Sequence, residues 1–139
     1  MSAKLNPYLT FKDNARAAMG FYQSVFAGKL AVSTFKDFHA SQAPDEDELV
    51  MHSVLEADNG LTLMASDTSR RLEYKPGNNF SMSLSGDDEP LLTAYFERLS
   101  QGGTVTMPLG KAPWGDLFGM VTDRYGVQWL IDVSPKKAS

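Results

Sequence analysis

His52 and Glu56 are the residues whose types and spacing best fit chemistry near neutral pH. They lie four positions apart in a strand-like segment, where residues two apart point to the same face. An imidazole changes its charge near neutral pH and can transfer protons, so His52, with Glu56 on the same face, is the acid–base candidate. The alternative is that His52 is only a hydrogen-bonded residue in a pocket wall.

The same residues are a poor starting point for a metal site. The chain has only two histidines, His39 and His52, and one imidazole with carboxylates such as Asp67 or Asp132 is a weak ligand set for a transition metal. The absence of cysteine excludes disulfides, thiolate ligands and cysteine nucleophiles. No glycine-rich phosphate loop follows a strand candidate. We therefore expect no metal and no other cofactor.

A tryptophan in a loop is a further candidate. Trp114 lies between Pro113 and Gly115, and an apolar run that contains Phe118 follows it. An indole in such a position either stacks on a ligand or covers the core. We expect Trp114 and Phe118 to close the rim of a binding pocket.

The elements that position these residues form a pattern that occurs twice. Helices are predicted over 14–26 and 89–101, because apolar residues recur at helical spacing on one face of each. Each helix begins at, or directly after, a residue of a type that is favoured at the N-cap position, and each ends close to a glycine. When the first helical pattern is shifted along the sequence by 74 residues (88 − 14), Phe21 aligns with Tyr95. The pattern indicates one unit in two copies.

Strand candidates flank both helices, so each unit is predicted to be strand–helix–strand–strand–strand. The strands are expected at 8–11, 30–35, 51–57 and 61–66, and again at 80–85, 104–107, 118–122 and 127–133. We expect a first module over 1–67, a linker over 68–79, a second module over 80–134 and a tail over 135–139. Segment 37–48 is polar and acidic, which predicts a loop that either covers one end of the sheet or is solvated.

Composition limits the classes of function. The chain has 139 residues, 42% of them hydrophobic, which is enough for one domain or two small modules that share a core. The net charge of −4 gives no reason to expect binding to nucleic acid or to an anionic membrane. No apolar run approaches the ~20 residues that span a bilayer, and no signal pattern precedes Tyr8. We therefore expect a cytoplasmic protein.

Five short segments carry a resemblance to a known superfamily. They read PYLTF at 7–11, NARAA at 14–18, LMASD at 63–67, WGD at 114–116 and DRYGVQW at 123–129. In order and spacing they resemble the vicinal oxygen chelate superfamily of glyoxalases, extradiol dioxygenases and antibiotic-binding resistance proteins, and in particular its PhnB-like branch. The resemblance implies an α+β fold of two βαβββ modules that form U-shaped mixed sheets, with the helices outside and the ligand inside. It also implies a homodimer.

Strand alternation separates two faces. One parity of each predicted strand, which includes Leu61 and Phe80, is almost wholly apolar and suits a face covered by helices. The other parity mixes polar and apolar side chains, which suits a small organic ligand. With the two rim residues, the predicted ligand-binding residues are Tyr8, Thr10, His52, Met64, Ser66, Ser81, Ser83, Trp114, Phe118 and Leu130. The alternatives are a solvated face or one filled by dimer packing.

The metal-ligand positions of the superfamily project onto residues that are neither histidine nor glutamate. They fall at Asn6 or Pro7, at Leu63 or Met64, at Ser81 and at Leu130. The resemblance therefore implies a small-molecule-binding protein without the usual metal site. The alternatives are a glyoxalase- or lyase-type enzyme that uses His52 on a small oxygenated substrate, and a dimeric module without a ligand. Sequences of this branch sometimes carry a ubiquinone-methyltransferase label, but no Rossmann-like pattern for a methyl donor is present here.

Overall fold

Two helices and eight strands follow one another as βαβββ twice in the computed structural model, which describes residues 3–70 and 72–134. The chain divides into two compact units, Met1–Gly77 (unit 1) and Asn78–Ser139 (unit 2). The elements are β1 Tyr8–Phe11, α1 Ala15–Phe26, β2 Lys29–Thr34, β3 Val50–Glu56, β4 Thr62–Asp67, β5 Met82–Gly86, α2 Glu89–Ser100, β6 Thr104–Lys111, β7 Leu117–Thr122 and β8 Gln128–Val133. The predicted α+β fold of two βαβββ modules is confirmed.

The two sheets have the same strand order. In unit 1 the order is β1-β4-β3-β2, where β1 runs parallel to β4 and the other neighbours are antiparallel. In unit 2 the order is β5-β8-β7-β6, where β5 runs parallel to β8. Helix α1 packs on the first sheet and α2 on the second. Each mixed sheet therefore has a helix-covered face and a helix-free face.

Apolar side chains at alternate strand positions fill the helix-covered faces. The buried strand residues include Phe11, Leu55, Leu63 and Ala65 in unit 1 and Leu84, Val121, Trp129 and Ile131 in unit 2. The prediction that Leu61 and Phe80 belong to this set is wrong, since they are 42% and 78% exposed. Both precede the first residue of their strand, so no ladder fixes their side chains beneath a helix.

The helix N-termini are capped in two different ways. The Asp88 side chain accepts a hydrogen bond from the Leu91 N–H at 3.1 Å, as its residue type predicts. The Asn14 side chain makes no such bond. Instead, Asp67 Oδ1 accepts from the Ala15 N–H and Oδ2 accepts from the Val50 N–H, both at 2.9 Å. A buried carboxylate at the end of β4 thus joins α1 to β3.

The acidic segment between β2 and β3 is anchored to unit 1. It contains a 3₁₀ turn at Pro44–Glu46, and the Glu46 side chain is almost fully buried. Glu46 Oε1 accepts from the Gln42 N–H at 3.1 Å, and Oε2 accepts from the Arg70 N–H at 2.8 Å. Of the two expectations for this segment, a solvated loop is therefore wrong for Glu46. Its carboxylate satisfies backbone donors that the turn would otherwise leave unpaired.

A glycine at the start of the second strand of each unit allows a close backbone approach. A Cβ on Gly28 would collide with the carbonyl oxygen of Glu56, and a Cβ on Gly103 would collide with that of Thr122. In both units the collision is with the last residue of the neighbouring third strand. The repeated pattern seen in the sequence thus extends to the tightest backbone contact.

We expect Gly103→Ala to lower the free energy of unfolding by about 1–3 kcal/mol, because its methyl group must displace backbone atoms. Gly20→Ala is the control: Gly20 lies inside α1, a Cβ added there would meet nothing within 4 Å, and the substitution should stabilise by about 0.5–1 kcal/mol. Urea unfolding of both variants measures the difference. Equal stability of Gly103→Ala and wild type would contradict the close approach.

Candidate functional site

The helix-free face of unit 1 is built from rows of side chains that cross the four strands. One row is Tyr8, Met64, Val54 and Ala31, which are successive partners across β1, β4, β3 and β2. It presents an aromatic ring, a thioether and aliphatic groups. None of these four side chains is fully buried. The row is an apolar strip that remains accessible on the side without a helix.

A polar row runs beside this strip. Thr10 pairs with Ser66 between β1 and β4, and Ser33 pairs with His52 between β2 and β3. His52 and Ser66 each lie one residue beyond the paired stretch of β3 and β4, so continuing that register sets them opposite each other. The row across the four strands is therefore Thr10, Ser66, His52 and Ser33: three hydroxyl groups and one imidazole. Four hydrogen-bonding groups next to an apolar strip can orient a small ligand of mixed polarity.

Tyr8 and His52 link the two rows. The Tyr8 hydroxyl lies 3.5 Å from His52 Nδ1, and the two rings are stacked with centroids 5.9 Å apart and planes 30° apart. Which of the two groups donates depends on the imidazole tautomer. The sequence placed both residues on this face but gave no sign of their contact, because they come from non-adjacent strands whose register the sequence does not reveal.

Glu56 lies away from His52 despite sharing its face. Four residues along a strand span about 13 Å, so the two side chains do not form a hydrogen-bonded pair. In the strand register, the neighbours of Glu56 are Lys29 on β2 and Thr62 on β4. The structure therefore brings Tyr8, rather than Glu56, to the imidazole.

The helix-free face of unit 2 has a comparable arrangement. Its first row consists of Ser83 followed by the apolar Leu130, Met120 and Met107, which are successive partners across β5, β8, β7 and β6. Ser81 precedes β5, and its hydroxyl lies 3.3 Å from the side-chain oxygen of Gln128. The predicted residues Ser81, Ser83 and Leu130 thus lie together at this end of β5 and β8.

The two rim residues are in contact. Trp114 and Phe118 have ring centroids 5.3 Å apart and planes at 69°, an edge-to-face arrangement. Trp114 is 60% exposed, in the turn between β6 and β7. Phe118 lies on β7 directly opposite Asp132 on β8. The aromatic pair therefore stands beside a carboxyl group.

That carboxyl group is electrostatically unusual. Burial, followed by a hydrogen bond to Asp116 and the negative charge of Asp116, raises the pKa of Asp132 above its usual value of 3.8. Oδ1 of Asp132 is shielded from solvent and has no hydrogen-bond partner within the described ranges. The other carboxyl group, Asp116, lies 3.1 Å from the Ser134 hydroxyl through its Oδ2. The sequence placed Asp132 on the mixed-polarity face and near a weak metal set, but it did not reveal the neighbouring Asp116, because that proximity depends on how β7 and β8 pair.

The second tryptophan is structural. Trp129 is 2% exposed on the helix-covered face, and its indole N–H donates to Asp123 Oδ2 at 2.8 Å. Asp123 Oδ1 accepts from the Tyr125 N–H at 2.8 Å and the Val127 N–H at 3.1 Å. One buried carboxylate thus holds both the β7–β8 turn and the indole.

The positions projected for the superfamily's metal do not fit a metal ion. Leu63 and Leu130 have hydrocarbon side chains without a lone pair and cannot coordinate a metal ion; Leu63 is also buried on the helix-covered face. Within 3–70 and 72–134, no group of three or more histidine, aspartate and glutamate residues is placed to hold a metal ion. In the same described ranges, no helix is long and apolar enough to cross a membrane.

Comparison with known proteins identifies the family. Residues 3–132 match the family described as 3-demethylubiquinone-9 3-methyltransferase, which is the PhnB-like family, and the chain belongs to it. This family lies within the vicinal oxygen chelate superfamily, as the resemblance implied.

Solved structures agree with this assignment. The chain is 34% identical to protein PA1353 from Pseudomonas aeruginosa, with a TM-score of 0.81 and coverage of 97% of this chain and 100% of that one. It is 27% identical to a PhnB protein from Bacillus cereus, described as a putative 3-demethylubiquinone-9 3-methyltransferase, with a TM-score of 0.73 and coverage of 95% and 100%. A glyoxylase/bleomycin resistance protein/dioxygenase domain from Frankia shares the fold, at 16% identity, a TM-score of 0.66 and coverage of 96% and 98%.

We expect Asp132→Asn to raise the melting temperature at about pH 8, on the order of a few degrees. A carboxyl whose pKa is raised by folding carries an ionisation cost above that pKa, and the cost disappears below its ordinary value of 3.8. The gain should therefore shrink as the pH falls toward about 3. Scanning fluorimetry across this range tests it, with Glu97→Gln on the exposed side of α2 as a charge-matched control. A lower melting temperature at pH 8 would refute the assignment.

Proposed function

We propose that this protein binds a small organic molecule on its helix-free sheet faces and does so without a metal ion. The observation that carries the proposal is the division of each sheet. The helix-covered face is apolar and buried, whereas the helix-free face alternates apolar rows with hydroxyl, imidazole and carboxyl groups. A merely solvated face would not need apolar strips such as Leu130 with Met120. The predicted ligand-binding residues contribute to these rows.

An enzymatic role is the second candidate, and the Tyr8–His52 contact favours it. A phenol hydroxyl at 3.5 Å from an imidazole nitrogen can orient the ring for proton transfer. This alternative is a glyoxalase- or lyase-type reaction on a small oxygenated substrate. Methyl transfer forms no part of either proposal, because each sheet carries a helix on one face only, unlike the doubly wound sheets that bind nucleotide-type cofactors.

We also propose a cytoplasmic homodimer. The absence of cysteine suits a reducing compartment.

The edge strand β6 is exposed at seven of its eight positions, including the apolar side chains of Val105 and Met107. Exposed edge strands are commonly covered by a partner. Light scattering at micromolar concentration should give twice the chain mass of 15.3 kDa, and a stable monomer would exclude this proposal.

Ligand binding should change tryptophan fluorescence through Trp114. Its exposed indole stands at the predicted rim, whereas the Trp129 indole is buried and hydrogen-bonded. A small-molecule library, with any compound that copurifies in native mass spectrometry, supplies the ligands. We expect Trp114→Phe to remove most of the change. Trp129→Phe should instead lower the free energy of unfolding by about 1–3 kcal/mol, because Asp123 loses a buried donor.

Two further experiments distinguish metal-free binding from an enzymatic role. Ligand binding should persist after chelator treatment if no metal takes part. Turnover of methylglyoxal–thiol adducts or catechols that is lost in His52→Gln would favour the enzyme instead. A fluorescence change that survives in Trp114→Phe but disappears in Trp129→Phe would place the ligand elsewhere and reject the assignment of the helix-free face.

A further inference from the structure

An aromatic pair, of which Trp114 is exposed and Phe118 half-buried, and two carboxyl groups meet at one end of the helix-free face of unit 2. Phe118 is the cross-strand partner of Asp132, and Trp114 packs edge-to-face on Phe118. Asp116 is hydrogen-bonded to Asp132, so all four side chains form one constellation. Trp114 is 60% exposed, so its indole is available to a ligand rather than enclosed in the core. The faces of such rings attract organic cations.

Within residues 3–70 and 72–134, neither carboxyl group has a cationic partner. Among the described residues, no lysine or arginine forms an ion pair with Asp116 or Asp132; the ion pairs found there involve Arg70 and Lys75 in unit 1. Lys111 on β6 is the register partner of Leu117 on β7, and Leu117 is the register partner of Val133 on β8. Because Val133 is buried on the helix-covered face, Lys111 lies on that face and not on the face that carries Asp132. Two neighbouring carboxylates without a counter-ion repel each other.

One oxygen of this pair has no donor among the described residues. Asp132 Oδ1 is shielded from solvent and accepts no hydrogen bond from them, although buried polar atoms are nearly always paired. A bound cation would compensate the charge of the pair and provide the missing favourable interaction. The aromatic pair is an independent feature that favours an organic cation, because ring faces attract substituted ammonium groups, whereas a divalent ion keeps water and oxygen ligands around it.

We propose that Trp114, Phe118, Asp116 and Asp132 form a subsite for a substituted ammonium group. This inference rests on the proposed small-molecule function and specifies one chemical group of the ligand. The rings contact the alkyl substituents of the ammonium group, and the carboxylate pair compensates its charge. Because a proton competes with the cation for the same carboxyl groups, binding weakens as the pH falls toward the raised pKa of Asp132.

Choline and its neutral isostere 3,3-dimethylbutan-1-ol are the probes that test this subsite. In ligand-observed NMR with the full chain at about pH 8, choline should bind and the neutral alcohol should bind about tenfold more weakly or not at all. Lowering the pH to about 4 should weaken choline binding. Equal binding of the two probes, or binding that does not depend on pH, would overturn the proposal.

Variants locate the binding. Asp132→Asn and Asp116→Asn should each weaken choline binding about tenfold, while Trp114→Leu should weaken it about threefold, as expected for a single exposed cation–π contact. The controls are Glu97→Gln, which makes the same charge change on α2, and Phe38→Leu, which removes an exposed aromatic ring from unit 1. Melting temperatures of all variants verify folding. Because Asp132→Asn and Trp114→Leu alter different parts of the site, loss of fold in one leaves the other decisive.

The remaining outcomes also decide the question. Calcium or magnesium that binds more tightly than choline and displaces it would identify a divalent-cation site and overturn the proposal. If choline fails to bind while a library compound perturbs Trp114, the ammonium subsite is wrong and the small-molecule function stands. If choline binds as expected but no library compound binds, the subsite is supported and the broader proposal requires a different ligand set.

Discussion

Each sheet of this protein has one helix, and this constraint governs the rest of the structure. Because one helix covers only one face of a sheet, only the alternate residues of each strand that point to that face are buried by the helix of the same unit. Leu55, Leu63 and Ala65 fill the covered face in unit 1, and Trp129 and Ile131 do so in unit 2. The opposite parity is free of packing against a helix and can carry mixed chemistry.

Buried carboxylates stabilise the connections between the elements. Asp67 joins α1 to β3, Glu46 joins the acidic segment to Arg70 in the segment that follows β4, and Asp123 joins the β7–β8 turn to Trp129. Each accepts at least two hydrogen bonds from N–H groups, so its burial is compensated. These three carboxylates are occupied by structure and are not available for a ligand. Asp132 differs from them because one of its oxygens has no donor among the described residues.

Each unit carries its own group of candidate side chains on its helix-free face. In unit 1, the Tyr8–His52 contact stands between an apolar row and a row of hydroxyl groups. In unit 2, Phe118 and Asp132 lie two residues along β7 and β8 from Met120 and Leu130, beside the methionine-containing row. The two copies of one fold thus carry different chemistry: hydroxyl and imidazole groups in the first, and acidic groups with aromatic rings in the second. Family membership establishes the fold and the ancestry, while the chemistry of these rows supports the proposals about function.

The sequence by itself determined the repeated βαβββ order, both helices to within a residue or two, and the parity of the strands. These features depend on local periodicity, which short segments carry on their own. It could not determine the register between strands, since pairing joins residues distant in the chain. Only the tertiary structure therefore showed that Tyr8 contacts His52, that Glu56 stands apart from it, and that Asp132 adjoins Asp116 and Phe118. It also decided that Asp67 rather than Asn14 caps α1, because the capping side chain lies 52 residues away along the chain.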